Sequence, residues 1–211
     1  MDIILPLLLG IVISAAGIML PGLINMTAAK IAIKEGRRRA VVFSLGATTI
    51  VFFQTYIAVS FAKFINSRPD VISLLQETGL VIFSLLTIFF LFIAKKKKPK
   101  AEKDIIKQKS FTGNYFLGAL LSALNFFPIP YYVFVSVSLG ANGYFSFTPL
   151  FVFLFVMGVV LGSFGVFYLY IVFFKKIQHR ADFFMRNINY LLGSVTGLIS
   201  IITLIKILRN Q

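Results

Sequence analysis

Apolar residues in this chain run in long unbroken windows rather than in alternation. Ile3–Ala29 holds 27 residues without a charge, Ala40–Ala62 holds 23, and Thr78–Ala94 holds 17 and extends backward past Glu77. Ser110–Phe174 is 65 residues without one charge, and the turn-forming Gly140-Ala-Asn-Gly143, followed by Pro149, divides it. Asn187–Ile205 closes the series with 19. A bilayer core of about 30 Å needs about 20 residues of helix. The windows therefore predict six transmembrane helices, over about 3–29, 40–62, 73–94, 113–139, 148–174 and 187–207. Barrel strands would alternate over about 10 residues, and these runs do not. The fold class that follows is an all-α integral membrane protein.

Composition agrees with the pattern. Of 211 residues, 58% are apolar and only 13% charged, too little polar surface to cover a water-soluble globule. An ordinary soluble enzyme and a disordered chain are both excluded. The net charge of +14 matters through its placement. Lys30, Lys34, Arg37, Arg38 and Arg39 follow the first window. Eight lysines occupy 95–109, and Lys175, Lys176, Arg180 and Arg186 follow the fifth window. Seventeen basic residues thus fall on one side and four on the other when six spans alternate. Because Lys and Arg concentrate in cytoplasmic loops, loops one, three and five are expected in the cytoplasm and both termini outside. Short basic loops flanking apolar helices are topology signals, not a nucleic-acid surface. Met1-Asp2 is no basic n-region, so the first window reads as a span and not a signal peptide.

The lysine-rich linker 95–112 separates a first three-helix segment, 1–94, from a second, 113–211. An odd number of spans per half sets the halves in opposite orientations, the inverted-repeat plan of many secondary transporters. Each half opens with a Pro-interrupted helix carrying an amide: Pro21-Gly22 with Asn25, and Asn125 with Pro128 and Pro130. Proline deletes a donor and clashes with the carbonyl four residues back. Pro21, Pro128 and Pro130 are thus expected to free the carbonyls of Gly17, Leu124 and Phe126. Such breaks must be buried in protein or line a wet cavity. Exposed carbonyls suit an ammonium and the amino end of a following half-helix suits a carboxylate, so a zwitterion fits. The alternative is a plain kink. Gln54, a lone amide in the second span, and Tyr131, just after the second break, complete the candidate substrate-binding set, with helix-to-helix bonding or packing as their alternative duty.

Pro21-Gly22, then Gly36-Arg37-Arg38, then Gly46, with Gly118 and Asn125 in the second half, resembles the LysE/RhtB family of bacterial amino-acid exporters. The family signature continues its Pro-Gly with Pro and Asn or Asp, where this chain has Leu23 and Ile24. It follows the second Asn with Pro-Lys, where this chain has Phe126 and Phe127. The chain is thus similar to a divergent branch. The resemblance implies outward flux of amino acids through the bacterial cytoplasmic membrane, driven by the proton gradient, with no enzymatic activity.

No acidic residue falls at the centre of a predicted span, which points away from metal cations and cationic amino acids and towards small neutral ones. The one histidine, His179, lies in a basic loop, and there is no cysteine, so no catalytic residue, metal site or cofactor is expected. A membrane-embedded enzyme would need a histidine or paired carboxylates in the bilayer. A non-transporting structural or assembly protein is the other alternative. Gly158, Gly162, Gly193 and Gly197 form small-xxx-small pairs, read as packing within the protomer or as a homodimer face.

Overall fold

A computed structural model describes residues 3–68, 80–93, 110–186 and 188–209, with the backbone alone at 90, 174–186, 188, 189, 191, 192, 195, 206 and 209. Glu77, the lysines of 95–109 and the start of the predicted third span lie outside the described residues. Among the described residues every regular element is helical: α1 Ile4–Ile18, α2 Leu23–Lys34, α3 Arg37–Asn66, α4 Leu80–Ile93, α5 Phe111–Ala123, α6 Pro128–Ala141, α7 Pro149–Arg186 and α8 Ile188–Arg209. The last turn of α4, Phe89–Ile93, is π-helical.

Two helical segments, Arg37–Asn66 and Pro149–Phe173, are long and apolar enough to cross a membrane. Two further candidates are bent pairs: α1 with α2, turned by 83°, and α5 with α6, turned by 59°. The first and fourth predicted spans are therefore each two helices, not one. The helical hydrogen-bond ladder is interrupted between Ile18 and Leu23, where Pro21 lies, and between Ala123 and Pro128. The stretch 175–186, expected as a loop, continues α7 instead. It holds no proline or glycine that would stop a helix.

The chain divides into two compact units. The larger joins 1–66 to 102–181 and contains α1, α2, α3, α5, α6 and most of α7. Its helices are joined by tight turns. Gly36, at φ 94°, ends α2 and opens α3. Gly143, at φ 76°, ends α6 with Gly143 N donating to the Gly140 carbonyl and Tyr144 N to that of Leu139. This paired bond pattern needs a left-handed residue, which glycine supplies without steric cost. Ser110 opens α5 by accepting the Gly113 N–H at 3.0 Å. One buried cluster packs Ile31 and Phe43 with Phe167 of α7, and another packs Val51 and Val59 with Tyr132 and Phe155.

Close backbone approach holds the larger unit together. A Cβ on Gly46 would strike the Tyr115 carbonyl, and one on Gly118 would strike that of Phe43. The two motif glycines thus meet the opposite helix reciprocally along the α3–α5 seam. Gly158 and Gly162 face Leu7, Gly10, Ile11 and Ser14 of α1. The smaller unit, 67–101 with 182–211, pairs α4 with α8. There the Thr87 hydroxyl donates to that of Thr196 at 2.9 Å, Gly193 sits against Leu91, and Gly197 lies against Thr87. Each of Gly158, Gly162, Gly193 and Gly197 thus lies against a neighbouring helix of its own unit.

Candidate functional site

The two breaks are built alike. At the first, α1 stops at Ile18 and α2 starts after Gly22, with Pro21 buried between them. The last carbonyls of a helix have no intrahelical donor. Here Asn25, 3% exposed, supplies it: Nδ2 donates to the Ile18 carbonyl at 2.7 Å and to that of Leu20 at 2.9 Å. The Tyr170 hydroxyl, from α7, donates to the Met19 carbonyl at 2.8 Å. At the second break α5 stops at Ala123 and α6 starts at Pro128. Gln54, from α3, donates its Nε2 to the Ser122 carbonyl at 3.0 Å and to the Asn125 carbonyl at 2.9 Å. Each break is held open by a carboxamide bridging two carbonyls.

This geometry shows what several of the candidate residues bond to. The carbonyls of 18, 19, 20, 122 and 125 already accept protein donors, so they are not bare acceptors awaiting an ammonium. Asn25 and Gln54 spend both their amide hydrogens on backbone. Pro128 and Pro130 do not interrupt a helix; they occupy the first turn of α6, where a missing N–H costs nothing. The Phe126 carbonyl, expected to be freed, accepts from Ile129 N at 3.3 Å. Asn125 is half-buried, and its Oδ1 accepts from Phe127 N at 3.4 Å. With two prolines and these bonds, the amino end of α6 has few donors left. The amino end of α2 differs. Gly22 caps it without a side-chain bond, leaving first-turn N–H groups for an anion.

Tyr131 brings the two breaks into contact. Its ring lies where a Cβ on Gly17 would sit, one residue before the end of α1, and its hydroxyl donates to the Ile13 carbonyl at 2.9 Å. It also stacks on Phe127, with ring centroids 6.1 Å apart. The structure thus joins Gln54 to Asn125, and Tyr131 to α1. Buried beside the second break are two polar atoms without a partner among the described residues, Gln54 Oε1 and Ser122 Oγ.

Sequence reasoning passed over Tyr170 and Ser122, two ordinary members of apolar helices with no local signal. It also passed over Glu35. That side chain is 1% exposed, and it receives Asn114 Nδ2 at 3.0 Å and Arg39 at 3.5 Å. The signal available was the four-residue spacing from Glu35 to Arg39, which permits a contact but says nothing of burial. An open cavity of about 550 Å³ lies at this turn, lined by Glu35, Gly36, Arg37, Arg38, Arg39 and Phe111. Among the described residues no cluster of His, Cys, Asp or Glu could hold a metal ion.

The LysE type translocator family model matches residues 15–206 of the chain. No curated protein and no solved structure matches it.

Proposed function

Because the chain belongs to the LysE type translocator family, we propose that it is a secondary transporter that exports small neutral amino acids or close derivatives by alternating access. Its site is the space between the two helix breaks, and the proton gradient across the bacterial cytoplasmic membrane drives it. The observation that carries this reading is the contact between the breaks at Tyr131 and Gly17. Interrupted helices meeting inside a helical bundle are the usual setting of a transporter site.

The chemistry of the surroundings selects the substrate class. The first-turn N–H groups of α2 suit a carboxylate. Gln54 Oε1 and Ser122 Oγ, the unpartnered polar atoms beside the second break, suit an ammonium. The residues assigned to substrate are Pro21, Gly22, Asn25, Gln54, Asn125, Pro128, Pro130 and Tyr131, with Asn25 and Gln54 acting by shaping the breaks.

Efflux from proteoliposomes loaded with a panel of labelled amino acids, with and without an imposed pH gradient, tests the reading. Saturable, gradient-dependent loss of neutral amino acids is expected. Asn125→Ala should abolish it while the protein remains folded. Normal flux in that variant removes Asn125 from the site, and no flux of any amino acid from folded, inserted wild type removes the exporter reading.

A further inference from the structure

Glu35 and Asn114 leave a specific pair of atoms unsatisfied. Both side chains are sealed: Glu35 is 1% exposed at its side chain and Asn114 0% overall. Asn114 Nδ2 donates to Glu35 Oε2 at 3.0 Å. Glu35 Oε1 and Asn114 Oδ1 are both buried without a hydrogen-bond partner among the described residues. Both are acceptors, and a buried acceptor with no donor is destabilising, more so when charged. A carboxylic acid and a carboxamide pair through two parallel bonds, N–H to one acid oxygen and O–H to the amide oxygen. One bond of that ring is present, and the two orphaned atoms are the pair that the second bond would use.

We propose that Glu35 and Asn114 form a proton-binding site. A proton taken from water makes an O–H bond at Glu35 Oε1 and is donated to Asn114 Oδ1, closing a neutral acid–amide pair that clasps the end of α2 to the start of α5. When the proton returns to water, the carboxylate keeps Asn114 Nδ2 and Arg39 as partners, and Asn114 Oδ1 loses its donor. The clasp then loosens.

The surroundings set the two forms against each other. Arg39 lies 3.5 Å from Oε2 in a single contact and also sits over the Phe111 ring, 5.5 Å from its centroid. Among the described residues, the elements that meet here also carry Lys30 and Lys34 on α2, Arg37 and Arg38 on α3 and Tyr115 on α5, whose hydroxyl donates to that of Thr49. Side chains of α7 beyond Phe173 lie outside the described residues. Because α2 belongs to the first half of the chain and α5 to the second, the proton acts on a joint between halves. That role in transport rests on the exporter reading; the proton site itself does not.

Infrared difference spectra of the purified protein, recorded across a pH titration, test the site directly. Wild type should show the C=O stretch of a buried protonated carboxyl at low pH, lost as pH rises. Glu35→Gln, which keeps the paired geometry without a titrating proton, should lack that band. Asn114→Ala should move it to higher frequency, because the O–H loses its acceptor. A Glu35→Gln spectrum identical to wild type at every pH, from protein folded as wild type by circular dichroism, overturns the site; a water molecule would then be the donor to both oxygens. In proteoliposomes, wild-type efflux should change by about tenfold per pH unit on the titrating limb and be flat in Glu35→Gln. A flat wild-type profile overturns the coupling. Wild-type vesicles that pass no amino acid remove the exporter reading, and the infrared band still decides the proton site.

Discussion

Asn25 and Gln54 are each a single amide side chain holding two backbone carbonyls, and their energetic weight follows from what their removal leaves behind. Asn25→Leu strips donors from the Ile18 and Leu20 carbonyls, and Tyr170→Phe strips only that of Met19. At about 1–3 kcal/mol per buried unpaired group, Asn25→Leu should lower thermal stability in detergent roughly twice as far as Tyr170→Phe. The reverse order would mean that these bonds do not hold the break. Gln54→Leu should cost about as much as Tyr170→Phe by the same measurement, because the Ser122 carbonyl keeps the Asn125 N–H at 3.0 Å and only the Asn125 carbonyl loses its donor. At this scale the sequence was legible in identity and left the role open between bonding to other helices and contact with substrate. A buried amide beside a proline marks a break, but nothing in the local pattern says whether its hydrogens go to backbone or to substrate. For Gln54 the partner lies 68 residues away, beyond the reach of any local rule.

Helices α3 and α5 touch backbone to backbone through Gly46 and Gly118. Such contact lets the chain substitute dispersion between main chains for the hydrophobic drive that lipid does not supply. Gly118→Ala should therefore wedge the seam and destabilise by about 1–3 kcal/mol. Gly165→Ala, in the interior of α7 with open space where the Cβ would stand, should be neutral or stabilising by up to about 1 kcal/mol. Thermal unfolding of the two variants side by side separates packing from helix propensity; equal shifts would contradict the seam. The windows located the helices because charge and apolar runs are one-dimensional signals. The bends of 83° and 59° were not legible, since Pro21 and Pro128 announce an interruption without its angle. The continuation of α7 through 175–186 was missed because charge was taken for the end of a helix. Charge marks where lipid stops, and a helix can run on into water.

Across the whole molecule, basic residues sort to one side when six spans alternate, and that orientation can be read chemically because the chain has no cysteine of its own. Arg37→Cys should react with a membrane-impermeant maleimide only from the cytoplasmic face, and Asn142→Cys only from outside. Labelling of both from one side would mean that the segments between them, α3, α4 and the α5–α6 pair, do not make three crossings. The location of the second cap has a further consequence, for synthesis. The first break takes its amide from α2, the segment that immediately follows it. The second takes its amide from α3, made well before α5 and α6 leave the ribosome. The early part of the chain thus waits in the bilayer with the donor that the later part lacks. The order is vectorial: residues 1–66 can reach the membrane without the rest, whereas α5 and α6 expressed without α3 would meet lipid with the Asn125 carbonyl stripped of its Gln54 donor and become a substrate for quality-control proteolysis.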